Sequence, residues 1–393
     1  MKYALPLFLL ALLLNGCAGT GKTTAKDDTA PLVMKPASFS DLEGWNNEDF
    51  MGFMNAYRTS CARILKKNPS DKFSSDPAWG TYGEWQTACR SGQGVNENDP
   101  SAVRAFLQNN FKVVAATAAG DPQGLFTGYY ESTLNGSRTK HGPFLYPLLG
   151  RPADLVMVEL GDFRDELKGQ RIAGRVIDGK LKPYENRAAI VSGKMPAEQF
   201  RPLVWLDDPH DAFFVQVQGS GIVHLDDGSL MRVGYAAQNG HPYYAIGREL
   251  VKRGIYKKDE VSMDTIRGWM LQNPAKAEEL MNTNPSYVFF QEMKDDGSGA
   301  GPQGGEGVKL TAGRSLAIDR GKLPYGFPIY LMADYADEDG KPIRKLMMAQ
   351  DTGGAIRGAV RGDYFWGSGS VAEAKAGPMK AKGKYFFLLP KGL

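Results

Sequence analysis

The run Ala349-Gln350-Asp351-Thr352-Gly353-Gly354 holds the clearest chemistry in the chain. An apolar stretch at residues 346–349 leads to a single carboxylate, Asp351, and Thr352, Gly353 and Gly354 follow at once. Glycine adopts positive φ readily and lets a ligand or another chain approach the backbone closely. A carboxylate at the end of a buried strand beside such a turn is an acid held rigidly at a cleft. The same residues also describe a solvated Asp that opens an ordinary turn. Asp363 lies twelve residues further on and opens Tyr364-Phe365-Trp366-Gly367, and Asp319 ends an earlier strand-like run. Two or three carboxylates among aromatic residues suit glycoside cleavage, where an acid protonates the leaving oxygen. Burial beside apolar groups raises the pKa of such an acid and keeps it protonated near neutral pH.

Other chemistries find little material. His141, His210, His224 and His241 show no metal-like spacing, and no cysteine cluster exists. There is no Gly-x-Ser-x-Gly elbow and no phosphate-binding glycine loop. A nucleophilic Ser or Cys would need a base that cannot be located. No metal and no cofactor are expected. The net charge of +3, without a long basic run, argues against nucleic acid as a partner.

Three stretches could meet a sugar. Thr127, Tyr129, Tyr130 and Glu131 place rings beside a hydroxyl and a carboxylate. Rings cover the apolar faces of pyranoses while polar groups meet their hydroxyls, although a Tyr-rich strand partly in solvent reads the same way. Gln216 and Gln218 alternate with Val215 and Val217, which puts both amides on one face of a strand, and Ser220 follows. That face suits a glycan or is an ordinary wet strand. Residues 235–243 form a loop with Asn239 and His241 as contacts.

These groups need a frame. With 393 residues the chain can form two or three domains. A hydrophobic content of 42% with 47 Gly and 23 Pro indicates a globular, loop-rich, mainly β protein. Lys2 and the apolar residues 3–14 are a targeting signal, too short to span a bilayer. The signal ends Leu14-Asn15-Gly16-Cys17-Ala18, which resembles a bacterial lipoprotein cleavage site with Cys17 as the lipidated residue. An ordinary secretory cut is the alternative, and both place the protein outside the cytoplasm. Residues 18–38, rich in Gly, Thr, Lys, Asp and Pro, read as a flexible tether. Residues 39–110 carry helical spacing: Phe50, Phe53, Met54, Tyr57 and Cys61 on one helix, Trp85 and Cys89 on a second, and Asp99-Pro100 at the head of a third. Cys61 and Cys89 could pair in an oxidising compartment or remain two buried thiols. From Phe111 onward short β-like runs alternate with Gly and Pro, and residues 294–309 read as a mobile loop.

The ordered motifs at residues 126–131, 211–221, 235–243, 284–290, 313–319, 349–358 and 362–369 together resemble the membrane-bound lytic murein transglycosylase A family. The resemblance implies a double-psi β-barrel built from residues 111–150 and 284–393. Residues 151–283 would be an inserted β-rich domain that forms a glycan groove with it. It implies that Asp351 cuts the β-1,4 bond between N-acetylmuramic acid and N-acetylglucosamine. One carboxyl would serve first as acid, then as base toward the muramic C6 hydroxyl, closing a 1,6-anhydro ring. A nucleophile tethered to the reacting ring has a high effective concentration, so no second carboxylate is required. Asp363, Asp319, Thr352 and Gly353 would support the site. A two-carboxylate β-1,4-glycan hydrolase and a non-catalytic peptidoglycan-binding protein remain alternatives. The expected setting is an outer-membrane lipoprotein facing the periplasm, acting as a monomer on peptidoglycan strands. Ala18 after the cysteine, in place of Asp, resembles the pattern of lipoproteins sent to the outer membrane.

Overall fold

The computed structural model describes residues 29–167, 170–294 and 301–393. The signal segment, Cys17 and the first part of the expected tether lie outside the described residues. The tether does not extend to residue 38, because Leu32–Ala37 form strand β1. β1 pairs antiparallel with β2, Phe111–Ala118. The short run Leu-Val-Met-Lys-Pro-Ala gives little signal by itself; its backbone finds partners only on the exposed edge of β2.

A helical head lies between these strands. Helices α1 (Phe53–Ile64), α2 (Tyr82–Ser91) and α3 (Pro100–Asn110) lie in the region where the periodicity predicts helices, but α1 starts later than expected: Phe50 stands outside it at φ 57°, and Gly52 caps the helix. Thr81 and Glu84 form a capping box on α2, and the Asp99 carboxylate accepts the Ser101 and Ala102 amides at the start of α3. Cys61 and Cys89 are bonded, stapling α1 to α2. Trp79 and Trp85 pack on Phe327 of the strand region, so head and sheet share one core.

Strand β3, Gly124–Ser137, is the longest and joins two sheet regions. The chain continues through β4 (Tyr146–Leu149), β5 (Val156–Glu159), β6 (Arg171–Ile177) and β7 (Lys180–Pro183) to α4 (Arg187–Val191). Next come β8 (Pro202–Leu206), α5 (Pro209–Gln218), β9 (Ser220–Leu225) and β10 (Leu230–Gln238). Helices α6 (Ile246–Lys252), α7 (Met263–Gln272) and α8 (Pro274–Asn282) precede β11 (Val288–Met293). The last part holds β12 (Ser315–Ile318), β13 (Pro328–Ala336), β14 (Pro342–Asp351), β15 (Arg361–Ser368), α9 (Ser370–Ala376) and β16 (Lys380–Pro390). The protein is mainly β.

Pairing runs β16–β13–β14–β12–β15–β3, and β3 pairs again with β16, so six strands form a closed cycle. Two of its ladders are parallel, β12–β14 and β15–β3. Past the cycle, β3 runs on to pair with β9, which leads to β10 and β11. No helix among the described residues is long and apolar enough to cross a membrane.

Two further expectations fail. Residues 213–218 are not a strand but the end of α5, so Gln216 and Gln218 do not alternate across a sheet face. Asp208 accepts the His210 amide at its start, Pro209 fills the first helical position and Gly219 ends it at φ 85°. The described part of the loop expected to be mobile, residues 301–309, is instead fastened: Gly301 N–H donates to Leu310 O, and Gly304 N–H to Val308 O.

Candidate active site

Four neighbouring strands deliver the site. In β14, β12, β15 and β3 the residues Asp351, Ala317, Asp363 and Thr127 lie side by side in register. The two aspartates therefore flank a small side chain, with backbones two strand spacings apart, roughly 10 Å. Two residues further along β3, Tyr129 turns to the same face as Thr127, as the pleat requires. Its hydroxyl donates to Asp351 Oδ2 at 2.7 Å. Asp351 Oδ1 accepts the Gly305 amide at 2.8 Å. Both oxygens of the acid are thus held, one by Tyr129 of β3 and one by the fastened loop.

Burial pushes the Asp351 carboxyl above the ordinary range, and the neighbouring Asp363 adds to this. The bonds from Tyr129, Gly305 and the Thr352 amide act the other way. Asp363 is also raised by burial, opposed by the Arg361 charge and by Thr127. Arg361 Nη2 donates to Thr127 Oγ1 at 2.8 Å, and Thr127 Oγ1 donates to Asp363 Oδ1 at 2.6 Å. A carboxyl whose pKa is raised by burial and whose ionised form accepts two hydrogen bonds is suited both to give and to take a proton.

The loop after Asp351 is pinned from below. Thr352 Oγ1 donates to Ile318 O at 2.8 Å. Asp319, 5% exposed, accepts Gly321 N–H at 2.9 Å and Gly358 N–H at 2.7 Å. Gly358 carries the positive φ, 115°; Gly353 and Gly354 do not adopt it. A Cβ on Gly353 would meet Ile356 Cγ1 at 3.2 Å. A Cβ on Gly354 would sit 3.6 Å from Tyr243 Cβ, so the loop after β10 reaches the site.

The remaining sugar-facing candidates divide. Thr127 and Tyr129 meet the acids. Tyr130 is buried and donates to Glu373 Oε1 at 2.8 Å. Glu131 is 1% exposed and ion-paired to Arg232 at 3.2 Å. Gln216 Oε1 accepts Arg187 Nη2 at 2.8 Å, and Asn239 Nδ2 donates to Glu185 O and Pro285 O. Ser220 is buried too. The bonds of Tyr130, Glu131, Gln216 and Asn239 tie neighbouring elements together, as buried polar groups need protein partners. Gln218 and His241 are half-buried; Gln218 Oε1 accepts Tyr130 N–H at 3.2 Å and His241 Nε2 lies 2.8 Å from Tyr184 O. Sequence reasoning did not select Gly305, Tyr325, Arg361 or Tyr243 as site residues. Gly305 and Tyr325 sit in a Gly-rich and a Pro-Tyr-Gly turn, which carry no chemical signal by themselves.

Comparison with known proteins is consistent along the chain. The family model described as the MltA specific insert domain matches residues 125–291, and the 3D domain matches residues 314–389. The membrane-bound lytic murein transglycosylase A of Escherichia coli (strain K12) is 30% identical over 349 residues, covering 87% of this chain and 82% of that protein. The crystal structure of a membrane-bound lytic murein transglycosylase from Agrobacterium tumefaciens superposes with a TM-score of 0.80 at 31% identity, covering 91% of this chain and 98% of that one. The E. coli MltA structure with bound chitohexaose gives a TM-score of 0.62 at 26% identity, covering 92% and 94%. On these matches the chain belongs to the membrane-bound lytic murein transglycosylase A family.

Proposed function

We propose that this protein is a lytic transglycosylase of peptidoglycan. It cleaves the β-1,4 bond between N-acetylmuramic acid and N-acetylglucosamine and leaves 1,6-anhydromuramic ends. The observation that carries this reading is the double hold on the half-buried Asp351 carboxyl, Tyr129 on one oxygen and Gly305 on the other. Burial raises the Asp351 pKa and so favours the protonated form, which gives its proton to the glycosidic oxygen. The two donors then stabilise the carboxylate so formed, which removes the proton from the C6 hydroxyl as that oxygen attacks C1. The bond to the leaving oxygen breaks, the anhydro bond forms, and the acid ends as it began. Thr127, Asp363, Thr352 and Asp319 keep the acid and its turn in place. The saccharide bound by the E. coli relative supports a glycan as ligand.

The closed cycle of six strands with two parallel ladders supports assignment as a double-psi β-barrel. The lipoprotein-like residues around Cys17 and the relatives' description as membrane-bound support a lipid anchor in the outer membrane, facing the periplasm.

The test is mass spectrometry of muropeptides released from purified sacculi by the protein and by its Asp351→Asn variant. Anhydro products from the parent and none from the variant are expected; reducing ends alone would refute the transglycosylase. The second buried acid favours one rival, a two-carboxylate hydrolase. A backbone gap of roughly 10 Å leaves space for the water that an inverting hydrolase activates. Under that rival Asp363→Asn is as inactive as Asp351→Asn; under ours it retains anhydro-forming activity at a reduced rate.

A further inference from the structure

The carboxyl of Asp351 owes one of its two bonds to the tip of the segment 301–310, and that tip is almost all glycine: Gly304-Gly305-Glu306-Gly307. Such a run has little stiffness of its own. Its one functional side chain, Glu306, turns inward and is only 8% exposed. We propose that Glu306 is a positioning residue for Asp351: anchored on helix α1, it fixes the neighbouring Gly305 amide against the reacting carboxyl. The inference rests on the reading of Asp351 as the acid.

The anchor is a closed ring of hydrogen bonds. Ser60 Oγ of α1 donates to Glu306 Oε2 at 2.7 Å. Gln350 Nε2 donates to Ser60 Oγ at 2.9 Å. The Glu306 amide donates to Gln350 O at 2.9 Å. Gln350 is the residue before Asp351, so one ring holds both the strand that carries the acid and the loop that bonds it. The ring is fixed in turn: Gln350 Nε2 also donates to Ala56 O at 2.8 Å, and Ser315 Oγ donates to Gln350 Oε1 at 2.6 Å. Ser60, Ser315 and Gln350 are fully buried.

Space has been left for this arrangement. Gly326 has φ 85°, and a Cβ there would lie 2.8 Å from Glu306 Oε1. A Cβ on Gly305 would lie 2.3 Å from the Tyr325 hydroxyl. Burying an acid costs free energy that an apolar side chain would not, so the fold alone gives no reason for a carboxyl here. Around Glu306 the titratable and charged neighbours are Arg63, Arg320 and Tyr82; around Asp351 they are Tyr129, Asp363 and Tyr325.

The test is a carboxyl carbon NMR titration of Asp351, assigned by its loss in Asp351→Asn, on the parent and on Glu306→Ala, Glu306→Gln and Ser60→Ala. Loss of the positioned amide raises the Asp351 pKa, by about one unit in Glu306→Ala. Removing a nearby negative charge would by itself lower that pKa, so the direction isolates positioning from simple charge. In parallel, kcat for anhydro-muropeptide release falls about 10- to 100-fold with KM unchanged, as small misplacements of reacting groups do. Glu306→Gln keeps both values near the parent, since its amide oxygen still accepts from Ser60. An Asp351 titration in Glu306→Ala that is unchanged or lowered overturns the proposal, whatever the activity. If Glu306→Ala does not fold, Ser60→Ala decides: an upward shift supports positioning and no shift refutes it. The titration uses no substrate, so failure to find anhydro products would strike the transglycosylase reading separately.

Discussion

Asp351 sits between opposing influences, and that makes it easy to tip. Burial and Asp363 raise its pKa; Tyr129, Gly305 and the Thr352 amide lower it. Tyr129→Phe removes the donor at 2.7 Å and leaves the ring in place beside Phe365. A hydrogen bond to a charged group is worth about 1.5–3 kcal/mol. We therefore expect the alkaline limb of the pH–rate profile to move upward and kcat to fall at least about tenfold. A profile that keeps its shape would show that this bond does not tune the acid. Asp351 could be singled out in the sequence as a carboxylate before Gly-Gly at the end of an apolar run, although the same residues also describe an ordinary turn. Its partner could not. Tyr129 lies 222 residues away, and its ring suited a sugar face as well as it suits the acid. The successive pairings of β14 with β12, β12 with β15 and β15 with β3 bring the two strands to one site.

The elements were legible where local signals agree and illegible where they compete. The three helices of the head announce themselves by spacing and caps. α5 did not, because the alternation Val215-Gln216-Val217-Gln218 imitates a strand while Asp208-Pro209 reads equally as a turn or as a helix start. Packing decides: Phe213 and Phe214 enter a core with Leu250, Trp269 and Leu280, and Val215 enters the core of the second sheet. Two adjacent faces of one segment are buried, which a helix can do and an edge strand cannot. The same level holds a prediction about the staple. Cys61 and Cys89 are 28 residues apart, and closing such a loop in the unfolded chain stabilises the fold by about 3–4 kcal/mol. Replacing both by Ser should lower the thermal midpoint markedly. Because α1 also carries Ala56 and Ser60, which hold Gln350, activity should fall at temperatures below that midpoint. Parallel melting and product-release curves would check this, and loss of both only at one temperature would separate the staple from the site.

Across the whole molecule the functional acids oppose stability at neutral pH. β3, which carries Thr127 and Tyr129, belongs to both the closed cycle and the second sheet. Asp351, Asp363 and Glu306 all have raised pKa values through burial, Glu306 from the ordinary 4.5 to about 7. The folded protein then keeps protons that the unfolded chain has released. Stability is complete below the unfolded carboxylate pKa and is lost as pH rises through the folded value. For Glu306 the window runs from 4.5 to about 7, a change on the order of 3 kcal/mol. Arg63 and Arg320 beside it moderate the loss. The thermal midpoint of the parent should therefore decline across this window, and that of Glu306→Gln, which cannot ionise, should decline less. Calorimetry on both proteins in matched buffers measures the difference directly. Equal slopes would mean that Glu306 ionises in the folded state as it does in the unfolded one. A shallower slope in the variant would mean that the protein carries this buried acid at a cost to its own stability at neutral pH, one that the hydrogen-bonding Gln would not carry.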